Sequence, residues 1–415
     1  MPSPLHFPAD GIPNVFSSNN EFAIAAELLS HGIGPVAIDT ERANSFRSDD
    51  RAFLIQLRRR GVGTLLLAPE HHREELTFHL APVLNTLEWI LHAAPSDLPS
   101  LHALGLYPAS IIDTEKAAKL AGFPQPSLGQ LTKDILGLEL AKGHGRENWS
   151  ITPLPEDWVI YAALDVEQLI ELSEALIEIL DQQNKLAWAE EEFEYLKNLT
   201  VPTQDPATGR AEPIPLPHAH WRTLKGIGAL RSPEQLAIAR ALWKTRNQIC
   251  QKHDIAPNQV LKNKNLIAIA QQCATTPEEI AKILRQSYID KHTRRWSKIA
   301  RNALASSKAS WPKPKTPPKP EFPPSKYWTE HYPHVTEWYQ RARNALQALA
   351  RRVNTPLECI IHVSTVKEIA WECAAVRGEY HAAYIAHILE KHQARAWQVD
   401  LIIAALSEEF SPTTR

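Results

Sequence analysis

Residues 35–68 read "PVAIDTERANSFRSDDRAFLIQLRRRGVGTLLLA". Three short apolar runs in this stretch, "PVAID", "AFLIQLRR" and "GTLLLA", are bounded by turn or charged residues and predict three β-strands. A fourth is predicted at "WILHAA", residues 89–94. Helical spacing follows at 70–84, 96–104, 114–121, 127–136 and 155–182, the last entered through a Pro-rich lead and Glu156/Asp157. Short strands alternating with helices predict an α/β layer architecture, a mixed sheet flanked by helices. A further helix at 184–198 leads away from it.

The first of these runs ends in Asp39-x-Glu41. Residues two apart on a strand point to one face, so both carboxylates lie on the same side of the sheet. Asp97, in "LHAAPSDLPSL", starts a predicted helix directly after a strand-like run. Tyr161 and Asp165, in "YAALD", are four apart on a helix and share a face. Three elements thus aim oxygen ligands at the carboxyl edge of the sheet, where open α/β folds place their sites. Crowded carboxylates need a counter-charge. Hard cations such as Mg²⁺ and Mn²⁺ take oxygen ligands, and two of them clamp both sides of an in-line phosphoryl displacement. The Tyr161 phenol is placed to orient an attacking water by hydrogen bonding. The chemistry is that of a nuclease. Taken singly the pieces are common, since D-x-E arises by chance, Asp is a frequent N-cap and Tyr a frequent core aromatic. The reading rests on the set, in this order, on these elements.

A chain of 415 residues exceeds one hydrophobic core, and two or three domains are expected. The formal net charge is −2, so affinity for nucleic acid must come from local patches. There is no uninterrupted run of about eighteen apolar residues. The opening "MPSPLHFPADGIPN" has neither a basic n-region nor an apolar h-region, so a soluble, cytoplasmic protein is expected. Cys250, Cys273, Cys359 and Cys373 are widely separated, without C-x-x-C spacing, and read as reduced thiols rather than a disulfide or zinc framework. Neither a G-x-x-x-x-G-K-[ST] loop nor a G-x-S-x-G elbow occurs, which disfavours an NTP-driven motor and a serine hydrolase.

The acidic set resembles the DEDD exonuclease superfamily in its tyrosine-bearing subtype, and particularly ribonuclease D, over roughly residues 10 to 200. "LIQL" at 54–57, "IIDT" at 111–114 and "KGHGRENW" at 142–149 stand where that family has similar segments. The resemblance implies an RNase H-like fold and a 3′→5′ hydrolytic exonuclease that releases nucleoside 5′-monophosphates. By matching motifs, Asp39, Glu41, Asp97 and Asp165 would hold two divalent ions, Mg²⁺ or Mn²⁺, and Tyr161 would position the nucleophile. Arg42 follows the D-x-E where ribonuclease D proteins commonly carry an aromatic residue. Arg42, Lys142 and Arg146 are candidate phosphate contacts, the last two in a glycine-bearing loop that permits close approach. Arg47 and Arg51 have either a phosphate-binding or a solvated reading. His92 reads as a hydrogen-bonded histidine of the fold, and Trp149 as a packing anchor.

Residues 201–220 form a polar, Pro-rich linker, and no strand is predicted beyond it. Amphipathic helices are predicted at 232–254 and 264–285. The pattern around "HDIAP", "VLKNKNLIAIA" and a Pro-Glu-Glu helix start resembles the HRDC domain. A second block over 331–410 carries the same skeleton around "TPLE" and reads as a diverged HRDC-like repeat. The expected organisation is an exonuclease domain at 1–205, a linker at 206–220, an HRDC domain at 221–300, a basic Pro/Lys linker at 301–328 and a second HRDC-like domain at 329–415. Residues 285–326 carry eleven Lys and Arg, among them Arg294 and Arg295, against Asp290 and Glu321, with Trp296 and Trp311 interleaved. Cations with aromatics suit single-stranded backbone tracking and base stacking.

The expected partner is RNA with a single-stranded 3′ end, tRNA precursors being the foremost case, bound by a monomer that touches no membrane. Two alternatives remain at this level. One is the same chemistry on DNA, as in proofreading and Werner-type exonucleases, though no polymerase domain follows. The other is a catalytically inactive RNA-binding adaptor, which the presence of all five site residues argues against.

Overall fold

The computed structural model describes residues 3–140, 143–199, 220–314 and 322–410. Lys142, the linker residues 206–219 and the Pro/Lys tract at 315–321 lie outside the described residues. Eight strands are formed: β1 (Ser3–Leu5), β2 (Val15–Phe16), β3 (Ile33–Arg42), β4 (Ala52–Arg60), β5 (Gly63–Leu67), β6 (Glu88–Leu91), β7 (Ser110–Asp113) and β8 (Leu138–Leu140). Six of them make one sheet in the order β2-β5-β4-β3-β6-β7, while β1 and β8 pair separately. β3 and β5 run antiparallel to β4, and the other pairs are parallel, so the sheet is mixed.

Strand alternation sorts the faces. Val36 and Ile38 of β3, with Ile55 and Leu57 of β4, enter the main core, which the helices Asn19–His31 and Arg73–Leu84 also enter. The opposite face carries Ala37, Asp39 and Glu41, and is covered by the helix Glu156–Glu167. The predicted 155–182 helix is two: it breaks at Gln168, which leaves helical geometry before Leu169–Gln182 begins. Buried Glu167, just before the break, is fixed by Arg58 at 3.2 Å and by the Ala9 backbone N–H. β6 stops at Leu91, short of the predicted 94, because Ala93 adopts a left-handed conformation (φ 60°) and turns the chain. β7 lies in "IIDT", which carries no alternation strong enough to read as a strand.

Beyond residue 220 the described residues are helical. The first block contains Pro233–His253, Pro257–Val260, Asn263–Gln271, Pro277–Leu284 and Lys291–Ala305. The predicted 264–285 helix is therefore two, the second started by the Thr276 capping box with Pro277 at its first turn. The last helix runs to Ala305, into residues expected to be linker. The second block repeats the succession with Pro333–Arg352, Leu357–Ile360, Val363–Trp371, Ala382–Lys391 and Ala396–Phe410. Helix lengths of 21, 4, 9, 8 and 15 residues in the first block are answered by 20, 4, 9, 10 and 15 in the second.

The blocks differ in how they pack. The first has its own core around Leu242, Ile269, Ile280 and Trp296. The second shares the core of the sheet domain, which runs unbroken from Phe22 to Leu406. Trp188 stacks on Trp397 at 4.9 Å, and Arg395 with Lys116 neutralises buried Glu192. Lys185 Nζ donates to the carbonyls of Leu120 and Asn354, and Thr355 Oγ1 also donates to Leu120. Gly122 (φ 90°) closes this contact, since a Cβ there would lie 2.5 Å from the Asn354 backbone oxygen. The first helical block thus stands on its own core, while the second continues the main core of the sheet domain.

Candidate active site

Asp39, Glu41 and Asp165 each offer a carboxylate oxygen within 4.8 Å of the others. β3 supplies the first pair from one face, and the helix Glu156–Glu167, laid across β3, β4 and β5, delivers Asp165 onto that face. A register shift between Glu41 and Arg42 ends the regular pairing with β4. Such a bulge re-aims the following side chain, and Arg42 reaches across to Asp97 at 3.6 Å and to the carbonyl of Ser96. Asp97 is 3 % exposed and stands at the N-terminus of the helix Leu98–His102 without capping it. Its Oδ1 accepts from Thr40 Oγ1 at 2.6 Å instead. Asp97 therefore borders the three-carboxylate cluster but is held by Thr40 and Arg42 rather than within it.

The electrostatics follow from burial. Asp39 sits well above the ordinary carboxylate range because it is buried and faces Asp97, Asp165 and Glu41. Glu41 is pushed up to about 9, by burial first and Asp165 next. Asp165 is raised to about 7 by burial, against the lowering hydrogen bond of the Tyr161 phenol. Asp97 is raised to about 6, again by burial, with Arg42 and Thr40 opposing. The Tyr161 hydroxyl is held above its usual range by burial and by the neighbouring carboxylates, so it stays a donor. Four carboxylates, Glu41 and Asp97 buried and Asp39 and Asp165 half-buried, with no thiol or imidazole among them, form a hard oxygen donor set, which fits divalent cations.

Tyr161 is walled by the loop that precedes its helix. His144 meets it edge-on, with ring centroids 5.7 Å apart, and Trp149 packs at 6.3 Å. Trp149 is buried, and its Nε1–H donates to the His144 carbonyl. Arg146, in the same loop, is exposed. His92 Nδ1 lies 2.9 Å from Thr114 Oγ1, and burial lowers the imidazole to about 4.

Other candidate residues are placed differently from the simplest expectation. Arg47 and Arg51 do not stand free: both engage Asp254 of the first helical block, at 3.2 and 2.7 Å. Arg51 also pairs with Glu70 and Asp49, and Ser48 donates to Asp254 from both its backbone N–H and its hydroxyl. Trp296 is 1 % exposed in the core of that block, which removes it from base stacking. Trp311 ties its Nε1–H to the Ala303 carbonyl and Ser306. Arg294 is exposed, and Arg295 lines a groove of about 720 Å³ together with Lys262, Lys264, Arg285 and His292. No ion-pair partner is seen for the five Arg and Lys side chains of this group among the described residues.

Two supporting residues escape the motif reading. Thr40, inside the D-x-E, orients Asp97. Asp113 of "IIDT", fully buried, accepts from the backbone N–H groups of Ala93, Ala94 and Lys116, and so pins the turn that delivers Asp97. An Asp at the end of an apolar run and the start of a helix is the signal that marks it.

Residues 14–181 match the 3'-5' exonuclease family, residues 235–299 the HRDC domain, and residues 321–410 the 3' to 5' exonuclease C-terminal domain. The fold and its carboxylate-lined face therefore define a 3′–5′ exonuclease-class protein with an HRDC module. A protein named Ribonuclease D from Gluconacetobacter diazotrophicus is 31 % identical over 198 residues, covering 47 % of this chain and 46 % of its own length. With these matches the chain is similar to ribonuclease D proteins over its exonuclease region and carries the HRDC module beside it. The alignment spans about half the length of the curated relatives it matches. A crystal structure of a protein from Bifidobacterium adolescentis is 30 % identical and superposes with a TM-score of 0.80, covering 99 % of this chain and 100 % of that one. Escherichia coli RNase D shares the fold at 18 % identity and a TM-score of 0.63, covering 92 % and 99 %.

Proposed function

We propose that this protein is a metal-dependent 3′→5′ exoribonuclease that hydrolyses phosphodiesters from RNA 3′ ends and releases nucleoside 5′-monophosphates. The observation that carries the reading is the convergence of Asp39, Glu41 and Asp165 within 4.8 Å beneath Tyr161. Two Mg²⁺ or Mn²⁺ ions, held by Asp39, Glu41, Asp97 and Asp165, would supply Lewis-acid charge at the scissile phosphate and acidify the attacking water. Tyr161, kept protonated, donates from its phenol and fixes the direction of that water. Asp165 accepts from the same phenol and holds its ring in place. Arg146, in the loop over Tyr161, contacts the phosphates nearest the cleaved bond, Lys142 is a second candidate phosphate contact by its sequence, and Arg42 lines the approach on the Asp97 side.

The name of the curated relatives supports RNA over DNA. The HRDC match and the cation-lined groove with Arg295 support a grip on the body of a structured RNA, with a single-stranded 3′ end reaching the carboxylates. This reading makes the protein a monomeric, cytoplasmic trimmer of tRNA precursors. No helix among the described residues is long and apolar enough to cross a membrane.

The test is incubation with a 3′-extended tRNA-like transcript or its DNA counterpart, with Mg²⁺ or Mn²⁺, beside Asp165→Ala. Stepwise shortening of RNA alone, lost with EDTA and in the variant while RNA affinity persists, is expected. Shortening of DNA alone would move the activity to DNA repair. Tight binding without shortening of either would leave an RNA-binding adaptor.

A further inference from the structure

Gln56, in the middle of β4, is fully buried, and neither its Nε2 nor its Oε1 has a hydrogen-bond partner among the described residues. A carboxamide in that state is costly, and an apolar residue of the same size would serve the fold better. The register places it directly across from Asp39 on β3 and from Leu66 on β5. Directly opposed residues on antiparallel strands point to the same face with their Cβ atoms about 5 Å apart. Gln56 therefore shares the face of Asp39 and Glu41, under the helix that brings Asp165. The apolar cluster on that face holds Leu54, Leu66 and Ala162, with Tyr161 packed against it. Arg58, next along the strand, is taken up by Asp10, Thr64 and Glu167.

Building on the metal-site reading, we infer that Gln56 is a positioning residue for Asp39: its amide N–H donates to the Asp39 oxygen turned away from the cations when these are bound. The geometry explains why a polar side chain sits within the apolar run from Phe53 to Leu57. A buried donor across the strand from Asp39 would hold its carboxylate in one orientation among the neighbouring acids. Outer partners of this kind orient metal-binding carboxylates and contribute about tenfold or more to affinity. No cation is contacted by Gln56 itself.

Two substitutions separate this role from a structural one. Gln56→Met keeps the length and volume without the amide, and Gln56→Leu is the second apolar replacement. Mn²⁺ binding to the full chain is measured by titration calorimetry, and the Tm is measured in EDTA, beside Asp39→Ala. The expected result is an EDTA Tm equal to or above the parent's, because an unpartnered polar group has gone, with Mn²⁺ affinity about tenfold weaker. Parent-like Mn²⁺ affinity in the Gln56 variants, with affinity lost in Asp39→Ala, overturns the role of Gln56 alone. Parent-like affinity in Asp39→Ala as well overturns the metal-site reading beneath it. A lower EDTA Tm in both Gln56 variants, or failure of both to fold, shows that the amide serves the fold and also overturns the proposal.

Discussion

At the scale of single residues, the proposed function divides the site into groups that would touch substrate and groups that hold those groups still. Tyr161 belongs to the first. Tyr161→Phe removes the donor but keeps the ring between His144 and Trp149, so kcat should fall about 100-fold with KM and Mn²⁺ affinity unchanged. An equal loss in KM would assign the phenol to binding instead. Asp113 belongs to the second. Asp113→Ala strands the backbone N–H groups of Ala93 and Ala94 at a left-handed turn. It should cost about 2–3 kcal/mol in urea unfolding and reduce activity without weakening RNA binding. A neutral denaturation midpoint would show that the turn holds itself. The acids and the tyrosine were legible in the sequence because residue type and spacing state their chemistry. Thr40 was not, because a hydroxyl that bonds to something 57 positions away leaves no local pattern, and the strand-end, helix-start position of Asp113 marks a cap without showing that it pins a turn about 20 positions away. Arg47 and Arg51 illustrate the converse. Their charge was visible, but the partner that absorbs it lies some 200 residues on.

At the scale of elements, the loop between β3 and β4 joins the D-x-E to the first helical block. Asp254, in a left-handed cap after the long helix Pro233–His253, takes Arg47, Arg51 and Ser48 together, and the Ala256 N–H donates to the Phe46 carbonyl. Arg51 and Ser48 hold the Asp254 carboxyl below the usual range. A group depressed in the folded state contributes stability above its unfolded value, near 4, and loses that contribution as pH falls toward the folded one. Docking of the block should therefore persist at pH 5 and fail only in stronger acid, read as a rise in the radius of gyration by X-ray scattering. Asp254→Ala should show the same expansion at pH 7. An unchanged radius at both would shift the docking energy to the backbone contacts. Where sequence and structure differ over elements, the causes are tertiary. The helix predicted over 155–182 is apolar at helical spacing throughout, and only the anchoring of Glu167 to Arg58 accompanies its break at Gln168. The 264–285 pattern hides a break that the Thr276–Pro277 start announces.

At the scale of the whole molecule, the chain builds one core at its beginning, leaves it to build another, and returns to finish the first. Calorimetry should accordingly resolve two transitions, one for residues of the first helical block and one for everything else. Trp397→Ala, which removes the stack on Trp188, should lower only the second by the equivalent of about 3–5 kcal/mol. A shift of both would mean that the cores melt as one. That the second block repeats the skeleton of the first was legible in the sequence, but neither the individual helix lengths nor which copy stands alone, because both present similar amphipathic faces. Removal of residues 221–415 is for the same reason no clean test of RNA grip, since it strips Trp397, Arg395 and Asn354 from the flank of the sheet domain. That shared core also sets an order of events on the ribosome. The carboxylates are all made within the first 165 residues, but the surface around Trp188, Glu192 and Gly122 stays bare until the last helices emerge. A synthesis that stops before Trp397 therefore yields a sheet domain with an uncovered apolar flank.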